Sequence, residues 1–278
     1  MRKTPFLLNL ISFIVKNPKS LLLIFPFVIL SYGYEVFVVR DTMVYGGIPR
    51  SAGFEMTQWT RILRNEAYMV GYSDIRGNPL WVSYKLTQPS PKAPHLKRPD
   101  NFSMDFRNLT FIKSSDYTNS GYDRGHMAPN HVISLLYGKS AQEETFLMTN
   151  ITPQKPNLNQ KIWQRLEALE LENFSHKFKA VWVYTGPIFN ENTKKLKNSF
   201  WVDIPNAFYK IYIGLKEDGD LRTLAFIIPQ TAKINDRIEK YQVSIDAVEK
   251  QSGFDFLHEL EDSLEQKVEA TIENSEWF

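Results

Sequence analysis

Three stretches in the second half of the chain are continuously apolar or alternate with a period of two: "AVWVYTGPIF" from Ala180, "FYKIYIGL" from Phe208 and "LRTLAFIIPQ" from Leu221. That pattern predicts core strands of an antiparallel sheet. Earlier, "AYMVGYS" and "LWVSYKL" flank "DIRGNP", in which Gly77, Asn78 and Pro79 suit a turn, so residues 67–86 read as a hairpin. Helix signals lie in "LNQKIWQRLEALELEN" (158–173), built of good helix formers, and in "SIDAVEKQSG", capped by Ser244 and ended near Gly253. A short helix is expected over 55–66, and another from a Ser140/Glu143 capping box toward Met148. "LMTNITPQ" reads as a short strand ending at Pro153, and the proline-rich segment 87–102 as a loop. Strands interleaved with single helices predict one mixed α+β domain over 45–260, a central antiparallel sheet flanked by helices.

The chain before that domain has a different pattern. From Leu21 to Val39 it is apolar on all faces, broken only by Pro26, the Ser31–Tyr34 region and Glu35, and Arg2, Lys3, Lys16 and Lys19 precede the run. Such a segment is a signal-peptide core or a membrane anchor. No alanine occurs before Ala52 to make an ordinary cleavage site, which favours an uncleaved anchor. Basic residues on its N-terminal side would leave the rest of the chain exported, on the periplasmic or other extracytoplasmic face. "VYGGIPRS" then reads as a linker, so residues 1–44 form the signal or anchor segment and linker.

Charge changes this picture only locally. A net charge of +2 does not by itself announce a nucleic-acid binder, but basic residues cluster between Lys92 and Lys139 and lead into "YDRGHMAPN" at 122–130. Toward the end the balance reverses, and residues 261–278 read as a solvated acidic tail. The absence of cysteine removes disulfides, thiolate nucleophiles and cysteine-based zinc sites.

Within the basic stretch, His126 stands beside Arg124, whose planar fork can grip a phosphate, and Gly125, which would let the backbone approach a ligand. Asp123 could hold Arg124 or a nearby amide, and an imidazole in that company is suited to take a proton from water. The other histidines read as structural, and "GKS" at Gly138–Ser140 lacks the leading glycine of a phosphate loop. On the helix over 158–173, Asn159, Trp163 and Glu167 are four apart and share one side, with about 40° of drift per step. Trp163 reads as a core residue rather than a base-stacking one.

"DRGH" followed by "NITPQKPNLNQKIWQRLE", together with "NPLWVSYKL", "KRPDNF", "YTGPIF", "IPNAFYKI", "AFIIPQ" and "VSIDAVEKQSGFDF" in the same order, resembles the DNA/RNA non-specific endonucleases, the ββα-metal nucleases that include mitochondrial endonuclease G. The resemblance implies a magnesium- or manganese-dependent hydrolase that cuts DNA and RNA with little sequence preference. It implies His126 as general base, Asn159 as the one direct protein ligand of the ion, Glu167 holding water beside the ion and Asn150 assisting nearby. It also implies phosphate contacts from Arg124 and Arg98, with Asp123 beside them. Where some members carry an arginine four residues after the glutamate, this chain has Leu171. Nucleic acid and, through the N-terminus, a membrane are the expected partners; a homodimer is left open. The alternatives are a phosphodiesterase for a smaller substrate and a catalytically silent binding protein of the same fold.

Overall fold

The computed structural model describes residues 12–272 and 275–278. It separates into two units, Met1–Thr42 and Met43–Phe278. In the first, the stretch Pro18–Val39 is helical and is long and apolar enough to cross a membrane by length and composition. Its central helix α1 (Leu21–Tyr34) holds Pro26 and runs on through a wider π-helical turn at Glu35–Val39. Arg2 and Lys3, on which the expected orientation leans, lie outside the described residues.

The second unit is built on a seven-stranded antiparallel sheet in the order β10-β9-β8-β7-β4-β3-β2. Its members are β2 (Arg61–Arg64), β3 (Tyr68–Ser73), β4 (Asn78–Leu86), β7 (Ala180–Ile188), β8 (Ala207–Leu215), β9 (Leu221–Pro229) and β10 (Gln242–Val243). The central strands are apolar on both faces because both faces are covered. On one face of β8, Phe208 packs edge-on against Trp163 and Tyr212 meets Phe174, so the helical run α4 (158–177) lies there. On the other face, Tyr184 and Tyr209 pack against Phe256. A two-stranded ribbon, β5 (Asp123–His126) with β6 (Ile151–Gln154), precedes α4 in the chain. Between its strands lie helices α2 (Asn130–Tyr137) and α3 (Lys139–Glu144). A two-residue pair, β1 (Arg50–Ser51) with β11 (Phe254–Asp255), and helices α5 (Ile245–Ser252) and α6 (Asp262–Ala270) complete the unit.

The mixed architecture, the hairpin, the three long strands, the helix over 158–173 and the Ser244-capped helix match the sequence reading. Four readings are corrected. Residues 55–66 are not a helix: only Met56–Gln58 makes a 3-10 turn, and Arg61–Arg64 is the edge strand β2. The open edge of β3 offers that segment backbone partners, with Leu63 opposite Val70, whereas a helix there would rest on propensity alone. Ser140 caps nothing; Gly138, at φ 86°, closes α2 and opens α3 at once, leaving Ser140 inside the helix. The strand expected to end at Pro153 runs to Gln154. The acidic tail is not a free segment, because α6 buries Val268 and Trp277 is 1% exposed against Phe174 and Phe178.

Strand packing is tight enough to dictate glycine at one point. A Cβ on Gly186 of β7 would stand 2.1 Å from the Leu80 carbonyl oxygen and 2.6 Å from the Tyr209 hydroxyl. That hydroxyl donates to the same carbonyl at 2.9 Å, so neither group can retreat without losing a buried hydrogen bond. Gly186→Ala is expected to destabilise the unit by about 2–3 kcal/mol, the range of overpacked cores. Urea unfolding of the variant checks this, and an unchanged midpoint would show that the strands can separate freely.

Candidate active site

The sequence "DRGH" is a strand. Side chains alternate along it, so Arg124 and His126 share one face of β5. Register with β6 sets Gly125 opposite Thr152 and His126 opposite Ile151. The absent side chain of Gly125 makes room for the buried Gln154, whose Oε1 would lie 2.2 Å from a Cβ.

Beyond His126 the chain turns under the control of Asn150. The Asn150 carbonyl accepts from Met127 N–H at 3.0 Å; its side-chain oxygen accepts from Ala128 N–H at 2.8 Å, and its amide donates to the Ala128 and Thr145 carbonyls. Asn150 is fully buried and does not line the cleft; its side chain lies nearby as a clamp on the 126–128 turn.

Arg98, Arg124, His126, Asn159 and Glu167 converge on one cleft of about 250 Å³. They come from the long loop, from β5 and from α4, so the fold assembles what the chain scatters. His126 is flanked by the rings of Phe102 and Phe146, at 5.4 and 4.9 Å between centroids. Its Nε2 is buried without a hydrogen-bond partner. Burial, and then the charge of Arg98, pull the imidazole down to about 3, so it is neutral and carries a free lone pair at neutral pH. Arg124 donates from Nε and Nη2 to the Ser114 carbonyl at 3.1 and 2.6 Å, which fixes the plane of its guanidinium. Arg98 lies over the Phe146 ring at 5.3 Å.

Asp123 does not hold Arg124, nor does it line the cleft. Its carboxylate accepts from the amide of Asn159 at 2.9 Å and of Gln160 at 2.8 Å, tying β5 to the start of α4. Because a carboxylate can only accept, this bond assigns Nδ2 of Asn159 to Asp123 and leaves Oδ1 without a protein donor. α4 opens with a π-helical turn at Leu158–Trp163 and becomes α-helical at Gln164–Leu169. The wider turn rotates the chain less per residue and so offsets the drift of about 40° expected between residues four apart. Asn159 and Glu167 both reach the cleft, while Trp163 between them is buried against the sheet as a core residue. Burial pushes Glu167 up to about 7 against the opposing charge of Lys210.

Asn130, His131, Gln160 and Gln164 also line the cleft and were not assigned to it from sequence. Their signal was position, since Asn130 and His131 end the motif segment and open α2. The donor set fits a hard divalent cation: a neutral carboxamide oxygen facing a polar cleft, beside a carboxylate, with no sulfur among the lining residues.

Comparison with known proteins agrees with this geometry. The family model described as DNA/RNA non-specific endonuclease matches residues 50–263. A nuclease of Nostoc sp. is 29% identical over 231 residues, spanning 79% of this chain and 81% of its own. Human mitochondrial endonuclease G is 28% identical over 207 residues, spanning 69% and 68%. A chain of the crystal structure of the EndoG/EndoGI complex shares the fold, with a TM-score of 0.65 at 24% identity over 80% of this chain and 92% of that one. With a match of that extent, the chain belongs to the DNA/RNA non-specific endonuclease family.

Proposed function

We propose that this chain is a divalent-cation-dependent endonuclease that hydrolyses phosphodiester bonds of DNA and RNA with little sequence preference. The observation that carries the reading is the single cleft joining a neutral buried imidazole, two guanidinium groups, a free carboxamide oxygen and a carboxylate. In this reading Arg98 and Arg124 receive the phosphate, and contacts of that kind position a strand without reading its bases. His126 takes a proton from the attacking water. A bound phosphodiester offsets the Arg98 charge that depresses the imidazole, which raises its basicity when it is needed.

Asn159, oriented by Asp123, is the protein ligand for magnesium or manganese, and Glu167 holds water at the same position. When bound, such an ion offsets charge on the phosphate and its leaving oxygen. A neutral amide ligand leaves the ion most of its positive charge. Asn150 has no part in the chemistry and acts by holding the turn after His126. The apolar helix supports export with the helix retained as an anchor.

Nicking of supercoiled plasmid, with and without EDTA, tests the activity. His126→Ala should lower kcat by about 10²- to 10⁴-fold while circular dichroism stays native. Near wild-type kcat in that folded variant would remove His126 as the base. Asn159→Ala should shift the magnesium titration of nicking to higher concentration; an unmoved titration would exclude it as a ligand. For the anchor, the protein extracted from its native membrane should resist a carbonate wash and have a mass that includes residues 1–44. Recovery as a wash-soluble, shortened form would mean cleavage instead.

A further inference from the structure

The C-terminal helices hold a second group of acids. Asp246 in the first turn of α5, Glu249 one turn on, and Glu269 near the end of α6 each offer a carboxylate oxygen, and these lie within 4.8 Å of one another. None of the three lines the catalytic cleft. Glu269 is 6% exposed, its carboxylate faces the group, and its Oε1 is buried without a hydrogen-bond partner among the described residues. Glu249 is oriented by the backbone, since its Oε1 accepts from Phe256 N–H at 2.7 Å.

Among the described residues no lysine or arginine forms an ion pair with any of them. Burial, then the like charges of Glu249, Glu265, Asp246 and Asp255, push Glu269 up to about 8. Folding has therefore gathered negative charge around a buried carboxyl that no lysine or arginine among the described residues pairs with, and like charges at this spacing repel strongly when partly desolvated.

We propose that Asp246, Glu249 and Glu269 bind a calcium-class divalent cation that pins α6 to α5. Calcium–oxygen distances of about 2.3–2.6 Å allow two ligands of one ion to stand up to about 5 Å apart, so three oxygens within 4.8 Å of one another are compatible with a single shared calcium. The exposed Asp246 leaves one side open to water, which completes the larger coordination shell that calcium takes. The effect is on stability rather than on phosphodiester chemistry. α6 is also held to the sheet by Thr223, whose hydroxyl donates to the Val268 carbonyl at 2.7 Å, and the chain beyond it ends in the buried Trp277.

Thermal unfolding of the EDTA-treated full chain in detergent, titrated with calcium chloride, tests the site. At a hundredfold excess over Kd the Tm should rise by about 5–10 °C. The rise should vanish in Glu269→Gln, which keeps the shape and relieves the repulsion, and in the exposed Asp246→Asn. It should persist in Asn159→Ala. No calcium response in the wild type would overturn the proposal, including the case where Tm rises only with acid because the carboxyls share a proton. A response that survives both acid-group substitutions, or that disappears in Asn159→Ala, would equally overturn it.

Discussion

Deep under the cleft, a lysine and a glutamate are paired where neither touches water. Lys210 projects from the middle of β8 and Glu170 from α4; both are fully buried, and their charged ends are hydrogen-bonded. The same carboxylate accepts from the hydroxyls of Tyr84 on β4 and Tyr212 on β8, so three donors surround it. Burying two charges carries a large desolvation cost, and only such complete pairing offsets it. A pair of this kind has little freedom to slide, and it therefore fixes both the height and the rotation of α4 on the sheet. Lys210 adds a second restraint, with its ammonium 4.9 Å from the centre of the Trp163 ring. Asn159 and Glu167 lie on either side of Trp163 along the helix, so their reach into the cleft is set from below. The same ammonium is the largest influence opposing the protonation of Glu167. A structural charge thus also tunes a carboxyl in the site.

The other wall depends on a neutral clamp. Asn150 makes two side-chain hydrogen bonds and one backbone bond across the turn after His126, and a third side-chain bond ties it to the Thr145 carbonyl. With the imidazole set between Phe102 and Phe146, the position of His126 is determined from both backbone and ring. The two walls meet through Asp123, which belongs to β5 yet holds the amides of Asn159 and Gln160 on α4. Ribbon and helix are consequently one rigid unit rather than two surfaces facing a gap.

Much of this could be read from the chain. Strands buried on both faces announce themselves as long apolar runs, and the motif order identified the residues that meet in the cleft. What escaped the sequence depended on partners distant along it. Ile62 and Leu63 became part of a strand because β3 has an open edge, a fact no local window contains. The final segment was too acidic and too sparse in apolar residues to show a period, yet Trp277 and Phe278 dock it into the aromatic cluster around Phe174. Asn150 was found by pattern, but whether an amide faces a cleft or a backbone is decided by the bonds available after folding. The same holds for Asp123, whose neighbour in sequence, Arg124, turned out to be engaged by the Ser114 carbonyl instead.

The placement of Asp123 bears on why a nuclease of this design would use an amide where a carboxylate could stand. A carboxylate bound directly to a divalent ion cancels half its charge and adds repulsion toward the phosphate. Here the negative charge is held one amide away: Asp123 draws on the Nδ2 hydrogen of Asn159, and polarisation through the amide increases the negative character of Oδ1. The carbonyl oxygen becomes a better donor to a cation while remaining formally neutral. Among the described residues Glu167 is the one carboxylate lining the cleft beside Arg98 and Arg124, and burial pushes its carboxyl up to about 7. In the proposed enzyme Arg98 and Arg124 would keep the cleft electropositive toward its polyanionic substrate, and Glu167 would be favoured in its ionised form, able to hold water, beside a divalent cation bound at Asn159.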